Sequence, residues 1–283
     1  HRQRHQHRRL RQPDLVTRVL GPLGPAPASP WIIQPKHGRV TTMPVPPTPA
    51  STAAVWWATD IVTSYGDAPT SWTDRVSGIT LTASGDPRWR PDAIGFRRPA
   101  VIFPDGNDYL SVSASSAVST ATSGCIVAVA AIYTPTTQQT IWSSNDISTA
   151  ATFFGGFTYT DGTIETNQRN SSDTTDSVHG NTVLQSARTY VLEWASSGTA
   201  YQHRVNGVLQ SHTTRSGSNN GDWFGDTSGR DNFTIGAHVR NTTGTFLAFD
   251  SRVGFLGVYD APLSDEDRSV LYSWLYGYYR ITL

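Results

Sequence analysis

Two clusters of residues carry groups able to bind a ligand, and the first offers oxygen ligands for a metal ion. Asp105, Asn107 and Asp108 stand close together and supply the hard oxygen ligands that Ca²⁺ prefers. The intervening Asp-Gly and Gly-Asn steps also form tight turns, because both residue types accept positive φ at low cost. The cluster predicts a calcium site, and turn formation is the alternative explanation.

The second cluster lies in a long loop rich in Gly, Asn, Asp and Ser. Trp223 and Phe224 supply aromatic rings, and Asn219, Asn220 and Asp222 supply amide and carboxylate groups beside them. Aromatic faces next to a few hydrogen-bonding groups suit a sugar ring. We predict carbohydrate binding here, and the alternative is that both rings turn back onto the core.

Catalytic motifs are missing from the sequence. It has no Gly-x-Ser-x-Gly turn, no phosphate-binding loop and no metal-spaced pair among His179, His203, His212 and His238. The single cysteine, Cys125, stands in an apolar run, so we expect it to be buried and no intramolecular disulfide to form. We predict a protein that is not an enzyme and that requires no cofactor apart from the calcium considered above.

Composition and patterning favour an all-β fold. Gly, Ser and Thr are abundant, charged residues make up 16% of the chain, and long helical periodicity is scarce. Short apolar segments are divided by Gly, Asn and Asp, and Asn206-Gly207 is a strong hairpin signal. The continuous apolar run 125–133 predicts a strand covered on both faces.

Three further stretches complete the predicted elements. Residues 96–112 place apolar runs on either side of a polar turn, which predicts a β-hairpin at a sheet edge. Residues 87–91, PRWRP, predict an irregular link. Ser264 precedes three acids and an apolar pattern of helical spacing, which predicts one short C-terminal helix.

The first 50 residues differ in composition from the rest. They carry seven Arg and one Lys against a single Asp, and residues 13–50 hold ten of the 17 prolines. Such proline density prevents regular helix and interior strands and leaves extended chain. We therefore divide the chain into a basic, Pro-rich extended arm, 1–50, and a folded domain, 51–283.

The arm combines positive charge with apolar anchors. We expect these residues to hold it on a partner: Arg8, Arg9, Arg11, Trp31, Ile32 and Ile33. Nucleic acid is disfavoured as that partner because no aromatic residues interleave the Arg cluster and no nucleic-acid motif follows. Contact with an acidic protein surface and a merely solubilising tail are the other two uses of the basic terminus, and a flexible linker is the alternative to an anchored arm.

The order of motifs in the folded domain resembles laminin-G-like domains with the concanavalin-A-like lectin/glucanase fold. The opening motif comprises Trp72-Thr73-Asp74-Arg75, Ser77-Gly78, Arg90-Pro91, Pro99–Phe103, Asp105-Gly106 and Asp108–Leu110. The closing motif comprises Ile235–Ala237, Gly254–Tyr259, Leu263–Arg268, Leu275 and Tyr278-Tyr279. The resemblance covers about residues 53–283 and leaves the arm outside.

The resemblance implies a concanavalin-A-like jelly roll of two antiparallel sheets packed face to face. Glucanases of this fold use a Glu-x-Asp-x-x-Glu pattern on one strand to flank the scissile bond. Glu165, Glu193 and Glu266 are the only Glu residues and none has that spacing, which argues against glycosidase activity.

The leading hypothesis from the sequence is a structural protein associated with a phage virion, decorating a capsid or tail. The arm would bind neighbouring virion or surface proteins in a homo-oligomeric or larger assembly, and the jelly roll would face outward. The alternative is an extracellular carbohydrate-binding module of a bacterial surface or secreted protein. No apolar segment approaches the roughly 20 residues that a membrane-spanning helix needs.

Overall fold

The structure of the protein is a computed structural model that describes residues 45–104, 107–113, 115–149, 151–170, 175–240, 245–246 and 251–282. The strands in this part of the chain are β1 (Thr52–Trp57), β2 (Ser71–Thr73), β3 (Thr80–Ser84), β4 (Arg88–Ile94), β5 (Arg98–Phe103), β6 (Tyr109–Val112), β7 (Gly124–Ile132), β8 (Gln139–Asn145), β9 (Phe153–Thr158), β10 (Ile164–Arg169), β11 (Asp176–His179), β12 (Arg188–Ser196), β13 (Tyr201–Val205), β14 (Val208–Leu209), β15 (Thr213–Ser216), β16 (Phe233–Ile235), β17 (His238–Val239), β18 (Thr245–Phe246) and β19 (Ser251–Tyr259). The helices are α1 (Ser115–Val118) and α2 (Asp265–Tyr279), and a 3₁₀ turn covers Ala58–Asp60.

Two antiparallel sheets pack face to face. The eight-stranded sheet has the order β14-β13-β12-β7-β19-β5-β4, with β1 also paired to β19. The nine-stranded sheet has the order β15-β11-β10-β9-β8-β16-β6-β3-β2. Many neighbours in these sheets are distant along the chain, as in a jelly roll. The predicted all-β sandwich with a C-terminal helix is confirmed.

The apolar core lies between the sheets, and a second apolar layer lies on the other face of the eight-stranded sheet. All nine residues of β7 are buried, because Ile126 and Ala128 face the core while Cys125 and Val127 face α2. The prediction of a strand covered on both faces is therefore confirmed.

Helix α2 is held by its cap and by a buried ion pair. The Ser264 hydroxyl accepts a hydrogen bond from the Asp267 amide at 3.0 Å, which satisfies one of the free N–H groups at the helix start. Arg268 Nε lies 3.1 Å from Oε2 of Glu193 on β12, and the Tyr272 hydroxyl donates to the same carboxylate. These contacts bind the helix to the eight-stranded sheet.

Two predictions about the strands were wrong. The two apolar runs of 96–112 do not form a hairpin: β5 belongs to the eight-stranded sheet and β6 to the nine-stranded sheet, so the two strands do not pair with each other. Both runs face the shared core from opposite sides, which explains the same alternation. The PRWRP stretch contributes to β4, where the register shift between Arg90 and Ile94 accommodates Pro91 at the sheet edge.

The hairpin signal at Asn206-Gly207 was right. Both residues have positive φ, 47° and 76°, and they join β13 to β14. Residues 1–44, which include most of the predicted arm, lie outside the described residues, so the division at 50/51 stays a prediction. Within the described residues, no helix is long and apolar enough to span a membrane.

Candidate functional site

The face of the nine-stranded sheet that points away from the core is lined by short polar side chains. We call it the outer face. Strand register aligns one such position on every strand of this sheet except β9, which contributes Gly155. The aligned positions, which we call the polar row, are Ser71, Thr82, Ser111, Thr234, Ser143, Gly155, Asn167, Ser177 and Ser216. Because neighbouring strands are about 4.8 Å apart, hydroxyl and amide groups recur across the sheet at about that interval.

Residues 236–240 cover the middle of the polar row. The Thr234 hydroxyl donates to the carbonyl of Ala237 at 2.5 Å, and the Ser143 hydroxyl donates to the same carbonyl at 3.0 Å. Both side chains are fully buried as a result. Asn167 and Ser216 remain half exposed, so the end of the outer face formed by β10, β11 and β15 is open to a ligand.

Strand β10 presents three polar side chains at this open end. Ile164 faces the core and Thr166 hydrogen-bonds a buried histidine there, so the alternate residues Glu165, Asn167 and Arg169 point outward. Asn167 lies between Gly155 of β9 and Ser177 of β11, and these small residues leave its amide at the floor of the face.

Glu165 is fully buried at one end of this strip. Its Oε1 accepts a hydrogen bond from the Ser177 hydroxyl and lies 3.9 Å from Arg215 Nε. Its Oε2 has no hydrogen-bond partner within the described part of the chain. Burial raises the pKa of Glu165 to about 7, and Ser177 and Arg215 offset only part of that effect.

A second carboxylate, Asp161, lies near the same arginine. Arg215 Nη2 lies 2.8 Å from Asp161 Oδ2, and the guanidinium stacks 3.5 Å from the ring centre of Tyr159. Although partial burial acts in the opposite direction, hydrogen bonds from Thr163 and Arg215 lower the pKa of Asp161 to about 2. At neutral pH Asp161 is therefore a carboxylate engaged by Arg215, whereas Glu165 is divided between its charged and neutral forms.

Two aromatic rings of β9 line one side of the strip, Phe157 opposite Glu165 and Phe153 opposite Arg169, and they enclose a histidine. His238 lies 5.2 Å from the ring of Phe153 and 5.4 Å from that of Phe157, and the guanidinium of Arg240 lies 4.8 Å from Phe153. Burial, assisted by Arg240, lowers the pKa of His238 to about 3, so its ring is neutral at physiological pH.

Several buried polar atoms of the outer face lack a partner, which is unusual because such groups are normally hydrogen-bonded. Among the residues that the structure describes, Asn167 Oδ1, Arg169 Nε and both ring nitrogens of His238 make no hydrogen bond. Together with Glu165 Oε2, five such atoms lie on this face, and the other buried atoms without a partner in the described residues are spread over the rest of the fold.

The predicted sugar-binding loop is arranged differently from the expectation. Trp223 and Phe224 are 0% and 4% exposed and pack against Trp142 in the core, so neither ring faces solvent. They are buried because they close one end of the sandwich between the sheets. The prediction that these rings are exposed was therefore wrong. The alternative prediction, that both rings turn back onto the core, is correct.

The polar residues of that loop mainly bond within the protein. Asn219 Oδ1 accepts from the Tyr201 amide at 2.5 Å, and Asn220 Nδ2 donates to Asp176 and Asp222 at 2.9 and 3.0 Å. Burial, with help from neighbouring carboxylates, raises the pKa of Asp222. Sugar binding at this loop stays a prediction that now depends on Asn219, Asn220 and Asp222.

The predicted calcium ligands have mixed environments. Asp108 is buried and its Oδ1 accepts a hydrogen bond from the Asp86 amide at 2.5 Å, Asn107 is exposed, and Asp105 lies outside the described residues. In the described ranges no three His, Cys, Asp or Glu side chains are grouped to hold a metal ion. Calcium binding here stays a prediction.

The predicted arm anchors lie outside the described residues and also stay predictions. They are Arg8, Arg9, Arg11, Trp31, Ile32 and Ile33.

A cavity of about 650 Å³ lies at the far edge of the nine-stranded sheet, beside β2. Its charged side chains are paired within the protein: Arg75 pairs with Asp60 at 3.2 Å, and the Asp74 carboxylate accepts hydrogen bonds from the amides of Val76, Ser77 and Ile79. The outer face at β10 is the better candidate, because no ion pair formed within the described residues includes Arg169 there.

Comparisons with known proteins show which solved structures have a similar fold. No protein-family model and no curated protein sequence matches the chain. Among solved structures, domain 4 of AbnA, a GH43 extracellular arabinanase from Geobacillus stearothermophilus, in complex with arabinotriose, is similar with a TM-score of 0.55 and 15% identity. That match covers 79% of this chain and 98% of the domain.

Two sialidase structures are also similar. The CBM40 module of the Ruminococcus gnavus IT-sialidase, bound to α2,3-sialyllactose, matches with a TM-score of 0.51 and 15% identity over 61% of this chain and 94% of the module. A leech intramolecular trans-sialidase complexed with 2,7-anhydro-Neu5Ac matches with a TM-score of 0.50 and 17% identity over 61% of this chain and 26% of the enzyme. At such identity the likeness establishes a shared β-sandwich fold, which fits the concanavalin-A-like resemblance coarsely.

Sequence reasoning missed the outer face at β10. The segment Ile164–Arg169 predicted a strand, but its core-facing positions after Ile164 are themselves polar, so alternation did not reveal which side chains point outward. The useful signal was the identity of the residues: a carboxylate, an amide and a guanidinium at every second position.

Proposed function

We propose that the protein binds carbohydrate through the outer face of its nine-stranded sheet. The observation that carries the proposal is the pair of half-buried side chains Asn167 and Arg169, whose Oδ1 and Nε atoms have no hydrogen-bond partner within the described residues. Such atoms are costly unless a ligand or water bonds them. Similar β-sandwich domains solved with sialyllactose and arabinotriose support the choice of ligand class.

The accessible groups have the chemistry that a saccharide requires. The half-exposed Asn167 amide offers both donors and an acceptor to ring hydroxyls, and Arg169 offers further donors. The half-buried Tyr159 ring, backed by Arg215, and the half-buried Ser216 continue this surface. Sites for small ligands typically combine a few polar groups with aromatic rings.

Binding fits this face better than hydrolysis. A general acid must reach the glycosidic oxygen, and a second carboxylate must flank the bond. Glu165 is fully buried behind Ser177 and Arg215, so a substrate oxygen has no access to it in this structure. We therefore include the absence of catalytic activity in the proposal.

The virion-associated role stays a second hypothesis about where such a domain works. It depends on the arm, 1–50, most of which lies outside the described residues, and on partners that no comparison provides. Carbohydrate binding on an extracellular or bacterial-surface protein is the function that the similar structures support.

The test is a glycan array with the full-length chain, followed by calorimetric titration of each binding saccharide. Asn167→Ala is expected to weaken binding at least about tenfold, because it removes hydrogen bonds to the ligand. Asn181→Ala, in an exposed turn, is the matched control and should bind as wild type. Loss with Asn220→Ala and retention with Asn167→Ala would transfer the site to the 219–222 loop.

A further inference from the structure

We propose that the saccharide bound at the outer face carries a carboxylate group and that Arg169 pairs with it. The inference rests on the proposed function and narrows it to a class of ligand: glycans that contain a sialic or uronic acid. Neutral glycans such as arabinotriose are the alternative that it excludes.

Two guanidinium groups converge at this end of the outer face. Arg169 of β10 stands opposite Phe153 of β9 in the sheet register, and Arg240 lies over the same Phe153 ring. The two positive charges act on each other: burial first, and the charge of Arg169 second, lower the pKa of Arg240. Arg169 therefore adds positive charge to a partly buried setting, where a carboxylate would pair with it.

The carboxylates of the same strip are paired with another cation. Asp161 pairs with Arg215, and Glu165 Oε1 lies 3.9 Å from Arg215 Nε, in its single ion pair within the described residues. No ion pair formed within the described residues includes Arg169, and its buried Nε makes no hydrogen bond there. Arg169 thus offers an unneutralised charge with unused donors.

The surroundings of Arg169 suit an acidic sugar rather than a small inorganic anion. Asn167 lies two residues away on the same strand, about 7 Å along it, which matches the span from a ring carboxylate to a hydroxyl on the far side of a pyranose. The planar guanidinium of Arg169 can hold both carboxylate oxygens at once.

The experiment titrates the full-length chain with paired ligands that differ only in charge. The first pair is α2,3-sialyllactose and the same trisaccharide with its carboxyl reduced to a hydroxymethyl group. The second pair is an oligogalacturonate and its carboxyl-reduced form. Because each comparison is made on the wild-type chain, it does not depend on the folding of any variant.

The variants locate the charge that the carboxylate contacts. Arg169→Gln is expected to weaken binding of the acidic member at least about tenfold, the lower end of what a charge-assisted hydrogen bond contributes. Arg169→Lys keeps the charge and should retain part of the affinity. Arg88→Gln removes an exposed arginine that pairs with Asp86 on the other sheet and should have no effect.

The outcomes separate this inference from the proposed function. Tight binding of an acidic glycan, loss on carboxyl reduction and loss in Arg169→Gln support it. Equal binding of acidic and reduced forms, or full affinity in Arg169→Gln, overturns it, while an effect of Asn167→Ala would still leave carbohydrate binding in place. If the wild-type chain binds no glycan at all, both proposals fail.

Discussion

Replacing Glu165 with Gln is expected to stabilise the protein at pH 8 and to leave its stability unchanged at pH 4. Burial raises the pKa of Glu165 to about 7, whereas the unfolded chain has the ordinary value of 4.5. Between these values the folded protein holds a proton that the unfolded chain has lost. The contribution of this proton to stability is fully present below pH 4.5 and is lost as the pH rises through 7.

The magnitude follows from the two pKa values. They differ by about 2.5, and each pKa unit corresponds to about 1.4 kcal/mol, so ionised Glu165 costs about 3 kcal/mol above pH 8 relative to its protonated form. Gln is close to the protonated carboxyl in shape, accepts the same hydrogen bond from Ser177 and carries no charge. The variant should therefore be up to about 3 kcal/mol more stable than wild type at pH 8.

Urea unfolding of both proteins at a series of pH values measures this difference directly. Other titrating groups are common to both chains and cancel in the comparison. Glu266→Gln, an exposed position in the first turn of α2, is the matched control and should change stability by less than about 1 kcal/mol at either pH. A Glu165→Gln variant that is less stable than wild type at pH 8 would contradict this prediction, because it would mean that the hydrogen bonds and charges around the buried carboxylate compensate for its burial.

Three further predictions concern stability. Glu193→Ala leaves Arg268 without its buried partner and should cost about 3–5 kcal/mol in urea unfolding; an effect below 1 kcal/mol would contradict this. Trp223→Ala empties part of the core and should cost about 3–5 kcal/mol while the folded variant still binds glycan in calorimetry; selective loss of binding would restore the loop as the site. The pKa of His238 is lowered in the folded protein, so the unfolded chain takes up a proton first as the pH falls, and stability is lost from pH 6.5 towards pH 3. In the His238→Phe variant the thermal-unfolding midpoint should depend less on pH over that interval.

The parts of the fold that the sequence predicted are those with local signals. The apolar run of β7, the Asn206-Gly207 turn and the Ser264 cap each depend on residues adjacent in sequence. The prediction of a hairpin at 96–112 was wrong because the alternation of apolar residues indicates only that one face of each strand is buried. It does not report whether the next strand joins the same sheet or the opposite one, which depends on long-range pairing.

The candidate site was harder to predict for the same reason. Its members come from β9, β10, β11, β15 and the segment 236–240, and only strand register brings them together. Trp223 and Phe224 were attractive because aromatic residues in a polar loop suggest exposure, yet their large apolar area is stabilised by burial at the end of the sandwich. Residue type alone does not distinguish these two uses of an aromatic ring.

NMR chemical-shift mapping would test directly whether the outer face at β10 binds carbohydrate. Amide resonances of the isotope-labelled full-length chain would be followed during titration with the best saccharide from the array. Binding at the outer face predicts chemical-shift perturbations concentrated at residues 153–157, 165–169, 177–179 and 213–216. Perturbations concentrated at 219–226, or at the cavity beside β2, would contradict it.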